Sequence, residues 1–180
     1  MEQHEDELNV KISKDIEAGR IAGPFQDRPF PNLRLSPIGL VAKKPSGWRM
    51  IQHLSFPLGN NVNSYIDSEL ATVQYTSFDK VLSTINEISR GAELARMDIR
   101  SAFRLLILHP DEFELFRFHF KNQFYFDKCL PMGCSASCAL FEKCSTFLEW
   151  AIKFKSGKRS VEHFIDDFLL AGKAGTGDCW

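Results

Sequence analysis

The sequence predicts an α+β fold whose second half builds a ferredoxin-like sheet. From residue 93 onward the predicted elements follow the order strand, helix, two strands, helix, strand, which is the split β-α-β arrangement. In that arrangement the first strand lies beside the last hairpin. The first strand ends on Asp98 and the hairpin turns at Asp166 and Asp167, so we expect three carboxylates at one sheet edge.

The N-terminal part predicts one helix followed by an extended arm. Leu8, Ile12 and Ile16 recur at a four-residue step, which indicates an amphipathic helix over 5–20 that ends near Gly19. Four prolines between residues 24 and 37 argue against a regular element. Residues 1–35 are therefore predicted to be a helix and an arm, and residues 36–180 the main domain.

The middle of the chain predicts a hairpin, an irregular stretch and a second helix. Apolar residues over 39–43 and 48–52 flank Lys44-Pro45-Ser46-Gly47, which is typical of a hairpin. Residues 55–75 carry scattered polar side chains and predict irregular structure. The capping pattern Thr76-Ser77-Phe78-Asp79 then begins a helix that ends before Gly91.

The second half predicts the elements of the sheet and their connections. In chain order they are a strand over 93–98, a helical segment over 101–106, Phe-rich strands over 115–120 and 123–128, a loop over 129–133, a helix over 135–153 and the acidic hairpin over 161–170. Adjacent carboxylates in a hairpin are costly unless a cation binds them. A solvated acidic turn is the alternative, since Asp is a common turn residue.

Composition indicates a globular chain without an export or membrane signal. The 180 residues are 44% hydrophobic with a net charge of −1, which does not single out a nucleic-acid binder. No apolar run reaches the roughly 20 residues that span a bilayer, and the acidic N-terminus lacks a signal-peptide core, so we expect an intracellular protein. The five cysteines are expected to be reduced, and their spacing makes a zinc site unfavourable.

Three converging carboxylates can hold two divalent cations that stabilise an in-line phosphoryl transfer. Mg²⁺ suits oxygen ligands and keeps exchangeable waters. Lys44 and Arg49 on the basic hairpin could bind a triphosphate, although a solvated hairpin edge explains both residues as well. A metal-dependent nuclease also needs such carboxylates, but it does not account for Lys44, Arg49 and Phe103 together.

Five segments in order give the chain a family resemblance. They are Phe30 to Gly39, Lys43-Lys44-Pro45 with Trp48-Arg49, Met97 to Phe103, Leu130-Pro131-Met132-Gly133, and Phe164-Ile165-Asp166-Asp167. From about Pro24 to the C-terminus the chain resembles the fingers and palm of reverse transcriptases, most of all those of DIRS-like retrotransposons. The resemblance implies a right-hand polymerase fold with fingers over 36–92 and about 110–128, and palm over 93–109 and 129–180.

The resemblance also implies a role for each matching residue. Asp98, Asp166 and Asp167 match the catalytic, metal-binding aspartates, with the Ile99 carbonyl as a further ligand of Mg²⁺ or Mn²⁺. The residues that would contact the incoming dNTP are Lys44, Arg49, Phe103, Met132 and Gly133. The implied activity is RNA-directed DNA synthesis on a primed RNA or DNA template.

The chain departs from the family pattern at three positions and at its end. Phe164 replaces Tyr, Met132 stands where retroviral enzymes carry Gln, and Cys138 stands where Pro is common. The chain ends shortly after the acidic hairpin, so we expect a domain truncated before the thumb and RNase H segments. Such a chain would be weakly active or inactive alone. A non-catalytic remnant that binds nucleic acid or another partner is the second hypothesis.

Overall fold

The computed structural model describes residues 4–31, 34–43, 45–88, 90–158, 160–177 and 179. The helices are α1 (Glu5–Glu17), α2 (Ser68–Ala71), α3 (Phe78–Ile88) and α4 (Ser137–Ser156), with 3₁₀ helices at Asn63–Tyr65, Ala102–Leu105 and Pro110–Leu115. The strands are β1 (Ile21–Phe25), β2 (Ile38–Ala42), β3 (Trp48–Gln52), β4 (Glu93–Asp98), β5 (Arg117–Phe120), β6 (Gln123–Asp127), β7 (Val161–Phe164) and β8 (Asp167–Gly172).

The chain divides into two compact units, and each unit is made of two separate chain segments. Unit 1 comprises residues 1–71 and 103–137, and unit 2 comprises residues 72–102 and 138–180. Unit 1 holds α1, the β2–β3 hairpin and a three-stranded antiparallel sheet in the order β1-β6-β5. Unit 2 holds α3, most of α4 and a three-stranded antiparallel sheet in the order β4-β8-β7.

The core of unit 1 explains why the Phe-rich strands and the first helix form. Apolar side chains of α1 pack with aromatic side chains of the β1-β6-β5 sheet, and the members are Leu8, Ile12, Ile21, Phe118, Phe120 and Tyr125. Phe118 and Tyr125 are stacked with ring centroids 5.3 Å apart. Burying large aromatic side chains of this kind is a leading source of stability in a domain. The predicted helix over 5–20 is confirmed, and Gly19 follows it at φ +70°.

Two predictions for unit 1 are wrong. Residues 21–25, assigned to an extended arm, form β1 and pair with β6 in spite of Pro24. Proline is tolerated because β1 is an edge strand and its register with β6 shifts between Ala22 and Phe25. Residues 55–75, predicted to be irregular, contain the 3₁₀ helix Asn63–Tyr65 and the short helix α2.

Unit 1 also buries a cluster of charges. The Arg104 guanidinium contacts the Asp127 carboxylate at 2.5 Å and the Asp15 carboxylate at 3.3 Å. Asp127 lies at the end of β6 and is 1% exposed, so burial raises the pKa of its carboxyl to about 6 although Arg104 opposes this rise. The cluster joins α1, the 3₁₀ helix Ala102–Leu105 and β6.

The sheet of unit 2 has fewer strands than the ferredoxin-like prediction implied. The strand over 93–98 and the acidic hairpin pair as predicted. The Phe-rich strands β5 and β6 do not join them, because they form the sheet of unit 1 with β1. The assignment of whole residue ranges to fingers and palm stays a prediction.

Helix α4 is joined to strand β7 by a buried polar contact. Both ring nitrogens of His163 face carboxylates of α4: Nε2 lies 3.0 Å from Glu142, and Nδ1 is hydrogen-bonded to Glu149. Burial opposes ionisation of Glu149, but hydrogen bonds from Lys153 and His163 lower the pKa of its carboxyl.

The cysteines are free, and Cys129, Cys134 and Cys179 are buried. None of the helices in the described part of the chain has the length and apolar character that a bilayer crossing requires.

Candidate functional site

The pairing of β4 with β8 brings two of the predicted catalytic residues opposite each other. Asp98, the last residue of β4, pairs with Asp167, the first residue of β8. Directly opposed residues of antiparallel strands project from the same face of the sheet. Asp166 lies in the turn before β8, and its carbonyl accepts a hydrogen bond from the Ile99 backbone N–H at 2.9 Å. The register therefore places Asp98, Ile99, Asp166 and Asp167 at one end of one sheet.

The turn that carries Asp166 has an unfavourable backbone conformation. Ile165 has φ +54°, which a β-branched side chain rarely adopts. The Ser145 hydroxyl of α4, a fully buried side chain, donates a hydrogen bond to the Ile165 carbonyl at 2.5 Å. Such conformations persist where surrounding contacts hold them, and they concentrate at functional sites. The sequence lacks the usual glycine in this turn. Ile165 takes the positive φ instead, and the Ser145 side chain of α4 holds it there.

A basic side chain that sequence reasoning missed contacts the acidic hairpin. The Arg96 guanidinium donates hydrogen bonds to both carboxylate oxygens of Asp167, with N–O distances of 2.8 Å and 3.0 Å from Nη2. Asp167 thereby raises the pKa of Arg96. Arg96 lies two residues before Asp98 on β4, so the two side chains share a face of the strand. The two-residue spacing between Arg96 and Asp98 was the sequence signal that could have identified Arg96 as a neighbour of the acidic site.

The carboxylates do not converge into a complete ligand set in this structure. Among the described residues no group of three His, Cys, Asp or Glu side chains is arranged to hold a metal ion. The Asp167 oxygens face the Arg96 guanidinium, and Asp98 is exposed. The donor chemistry nevertheless fits a divalent cation, since it consists of carboxylate oxygens and a carbonyl, and one carboxylate already binds a cationic side chain.

In unit 1 the predicted nucleotide-contacting loop, Leu130 to Gly133, packs against the end of β3. The Met132 carbonyl accepts a hydrogen bond from the Gln52 backbone N–H at 2.9 Å. Gly133 has φ +118°, and a Cβ atom at this position would lie 2.0 Å from the Gln52 carbonyl oxygen. Both the conformation and the close approach require glycine here.

A second unpredicted residue, Asn63, holds the far side of this loop. Its side-chain amide donates to the Gly133 carbonyl, and its side-chain oxygen accepts from the Ser135 backbone N–H, both at 2.9 Å. Asn63 begins the 3₁₀ helix Asn63–Tyr65, which lies in the stretch over 55–75 that the sequence predicts to be irregular. The Asn-rich run Asn60-Asn61-Val62-Asn63 was the available signal, because Asn side chains commonly bond to nearby backbone in turns.

The remaining predicted nucleotide-binding residues lie in unit 1 or outside the described residues. Arg49 is exposed on β3, opposite Val41 of β2. Phe103 is half-buried in the 3₁₀ helix Ala102–Leu105. Lys44 lies outside the described residues. The β2–β3 hairpin that carries Arg49 is present as predicted.

Comparison with protein families decides the class of this chain. Residues 41–176 match the family model described as reverse transcriptase (RNA-dependent DNA polymerase), and this range includes all the site residues discussed above. The chain belongs to the reverse transcriptase family. The comparison with curated proteins returned no match.

Solved structures similar to this reverse transcriptase domain include enzymes of foamy virus. A prototype foamy virus protease–reverse transcriptase is 21% identical with a TM-score of 0.71, and the match covers 96% of this chain and 20% of that one. The foamy viral enzyme in complex with double-stranded DNA is 17% identical, TM-score 0.73, covering 96% and 26% of the two chains. The enzyme in complex with an RNA/DNA hybrid is 17% identical, TM-score 0.71, covering 97% and 21%.

These similarities establish the fold of the reverse transcriptase domain. The α+β fold with antiparallel sheets matches the fingers and palm of the viral enzymes, as the sequence predicted. The chain spans about a fifth to a quarter of the length of the solved chains that it matches.

Proposed function

We propose that this domain catalyses RNA-directed DNA synthesis, in which dNTPs are added to a primer on a nucleic-acid template. The observation that carries the proposal is the register of β4 with β8, which sets Asp98 opposite Asp167 beside the Asp166 turn. The membership of the reverse transcriptase family supports the same reaction. Asp98, Asp166 and Asp167 are the proposed catalytic residues.

The proposed cofactor is Mg²⁺, with Mn²⁺ as a substitute. Asp98, Asp166 and Asp167 would hold the ions through carboxylate oxygens, with the Ile99 carbonyl as a further ligand. Two such ions supply charge stabilisation to the attacking and the leaving oxygen of a phosphoryl transfer. The chain's own part is to position the carboxylates, and the Ser145 hydrogen bond to Ile165 and the β4–β8 pairing do so.

The proposed nucleotide contacts come from three places in unit 1. Lys44 and Arg49 of the β2–β3 hairpin would bind the triphosphate, since Arg offers paired donors and Lys a compact charge. Phe103 would pack against the sugar. The backbone at Met132 and Gly133 would line the base, and the close fit of Gly133 against Gln52 supports a fixed loop position.

The proposed partners are a template with its primer, and further segments of a longer polymerase. Foamy viral structures that match this fold are complexes with double-stranded DNA and with an RNA/DNA hybrid, which supports a duplex partner. We propose a retrotransposon origin of the DIRS-like type from the five motifs and their order. Placement of residues 41–176 among retroviral rather than DIRS-like sequences in a phylogenetic tree would contradict that origin.

The reaction is tested by primer extension on poly(rA)/oligo(dT) with dTTP and Mg²⁺ or Mn²⁺. We expect only slow primer extension by the 180-residue chain alone, and we expect Asp98→Asn and Asp166→Asn each to lower the rate by roughly 10³-fold, because each removes a metal-binding charge. Asp111→Asn is the matched control, since Asp111 is an exposed aspartate of unit 1 whose side chain is 87% exposed.

A non-catalytic nucleic-acid-binding module is the second candidate, and the Arg96–Asp167 contact favours it. A carboxylate already neutralised by a guanidinium has less need of a metal ion. This candidate predicts duplex binding without incorporation by the wild-type chain under either metal. Primer shortening without dNTP addition would instead indicate a nuclease. Incorporation that survives Asp166→Asn would contradict the assignment of the catalytic pair.

A further inference from the structure

We propose that Asn63 is a positioning residue that fixes the nucleotide-contacting loop and thereby sets the affinity for the incoming nucleotide. The inference rests on the proposed polymerase function. The hydrogen bonds described for Asn63 go to Ser55, Gly133 and Ser135, which are not predicted catalytic residues. It acts on the loop through two hydrogen bonds, one to the Gly133 carbonyl and one from the Ser135 N–H, each 2.9 Å long.

The segment around Gly133 is held on one side by a backbone hydrogen bond and on the other side by the Asn63 side chain. On one side the Gln52 backbone N–H bonds to the Met132 carbonyl. On the other side the Asn63 amide bonds to the two peptide groups that flank Cys134. Peptide hydrogen bonds of the first kind form wherever the backbone fits, but the second kind needs an amide that donates and accepts at once. Among the 20 side chains only Asn and Gln provide such an amide.

Asn63 is itself held in place by a preformed turn. The Asn61 side chain, 5% exposed as a residue, accepts from the Ser64 N–H at 2.8 Å and donates to the Pro57 carbonyl at 2.8 Å. The Ser64 hydroxyl donates back to the Asn61 carbonyl at 2.8 Å. The Asn63 amide also donates to Ser55 Oγ at 2.9 Å. These contacts fix the amide before any ligand arrives, which lowers the entropy that binding must overcome.

The loop has little freedom to compensate for the loss of Asn63. Gly133 already lies so close to the Gln52 carbonyl that a Cβ would not fit, so movement towards β3 is blocked. Movement away from β3 is limited by Asn63 and by the buried Ser137 hydroxyl, which donates to the Pro131 carbonyl at 3.0 Å. Without Asn63 the segment from Met132 to Ser135 loses its outer support. If the loop must be reordered on each binding event, nucleotide binding weakens. The catalytic carboxylates, which are not part of the loop, stay as they are.

The test combines amide hydrogen exchange with single-nucleotide incorporation in the full 180-residue chain. We expect Asn63→Ala to speed exchange of the Ser135 amide hydrogen, which loses its acceptor, and to raise KM for dTTP by about three- to thirtyfold with kcat within about twofold, as loss of ground-state binding requires. Asn63→Asp keeps the acceptor for Ser135 and loses the donor to Gly133, so we expect a smaller rise. Asn60→Ala is the control: Asn60 is an exposed neighbour that bonds to Tyr65 and makes no contact with the loop in the described contacts.

The outcomes separate this inference from the polymerase proposal. If dTTP slows exchange of the loop in the wild type and Asn63→Ala leaves KM and loop exchange at wild-type values, the positioning role is overturned. A fall in kcat with an unchanged KM would also overturn it. If the wild type shows neither incorporation nor slowed loop exchange with dTTP, the proposed function fails and this inference fails with it.

Discussion

The Arg104–Asp127 pair of unit 1 and the Arg96–Asp167 pair of unit 2 differ chiefly in exposure. In unit 1, Arg104 and Asp127 have side chains that are 9% and 1% exposed. In unit 2, Arg96 and Asp167 have side chains that are 71% and 38% exposed. The first pair joins a 3₁₀ helix to a strand, and Asp15 of α1 contacts the same guanidinium, whereas the second pair lies at the end of a sheet.

The difference separates a structural pair from an exchangeable one. Loss of one partner of a buried pair leaves a charge without solvent, which is strongly destabilising. An exposed pair contributes little to stability, because water and salt screen it and can replace either partner. The Asp167 carboxylate can therefore exchange its guanidinium for another cation, while the Asp127 carboxylate cannot. The candidate catalytic position uses the exchangeable pair.

The largest expected effect comes from breaking the buried pair. Arg104→Ala should lower the free energy of unfolding by roughly 3–5 kcal/mol, because Asp127 and Asp15 lose their shared cation inside unit 1. Urea denaturation followed by tryptophan fluorescence measures the change. A decrease below about 1 kcal/mol would show that water reaches Asp127 and that the pair is not structural.

A pH-dependent effect of intermediate size should come from the buried aspartate of unit 1, Asp127. The Asp127 pKa is raised from 3.8 to about 6, so the folded chain binds this proton more tightly than the unfolded chain. Its contribution to stability therefore falls as pH rises from about 4 to about 6, by at most about 3 kcal/mol. Asp127→Asn should remove this dependence, measured as the difference in unfolding free energy between the two proteins at each pH. A difference that stays constant across this range would place the pKa at its ordinary value.

The smallest expected effect on stability comes from breaking the exposed pair. Arg96→Ala should leave the thermal midpoint at its wild-type value, yet it should free the Asp167 oxygens for a metal ion. We expect tighter Mn²⁺ binding, measured by water proton relaxation, and half-maximal incorporation at a lower Mg²⁺ concentration. Arg96→Lys keeps a positive charge, so its Mn²⁺ affinity should lie between that of the wild type and that of Arg96→Ala. Weaker Mn²⁺ binding in Arg96→Ala would mean that Arg96 orients Asp167 for the metal rather than competing with it.

Sequence motifs and hydrophobic periodicity were sufficient to predict the secondary structure that surrounds the candidate site. The strand over Glu93–Asp98, the hairpin on either side of Asp166 and the basic hairpin that includes Arg49 all form where the sequence predicts them. Each depends on local alternation of apolar residues or on a turn, which neighbouring residues determine. The roles of the named site residues stay predictions.

The features that the sequence did not reveal depend on partners distant in the chain. Arg104 gives no local sign that Asp15 and Asp127 will surround it. Pro24 argued against a strand, and only the edge position of β1 permits one. Asn63 looked like part of a loop because its partners lie 70 and 72 residues away. Propensity describes neighbours in sequence, while these contacts arise from tertiary packing.

The division of each unit between two chain segments has a consequence for synthesis on the ribosome. Unit 1 needs residues up to 137, so it can close while the last part of the chain is still being made. Strand β4 is synthesised early, but its partner β8 follows only later; Arg96 and Asp167 are 71 residues apart. During that interval an unpaired strand edge is open to other chains, as expected for long-range sheet pairing. Asp98 at the end of β4 places a charge on this open edge. We expect that charge to discourage pairing with a second nascent chain until β8 is made.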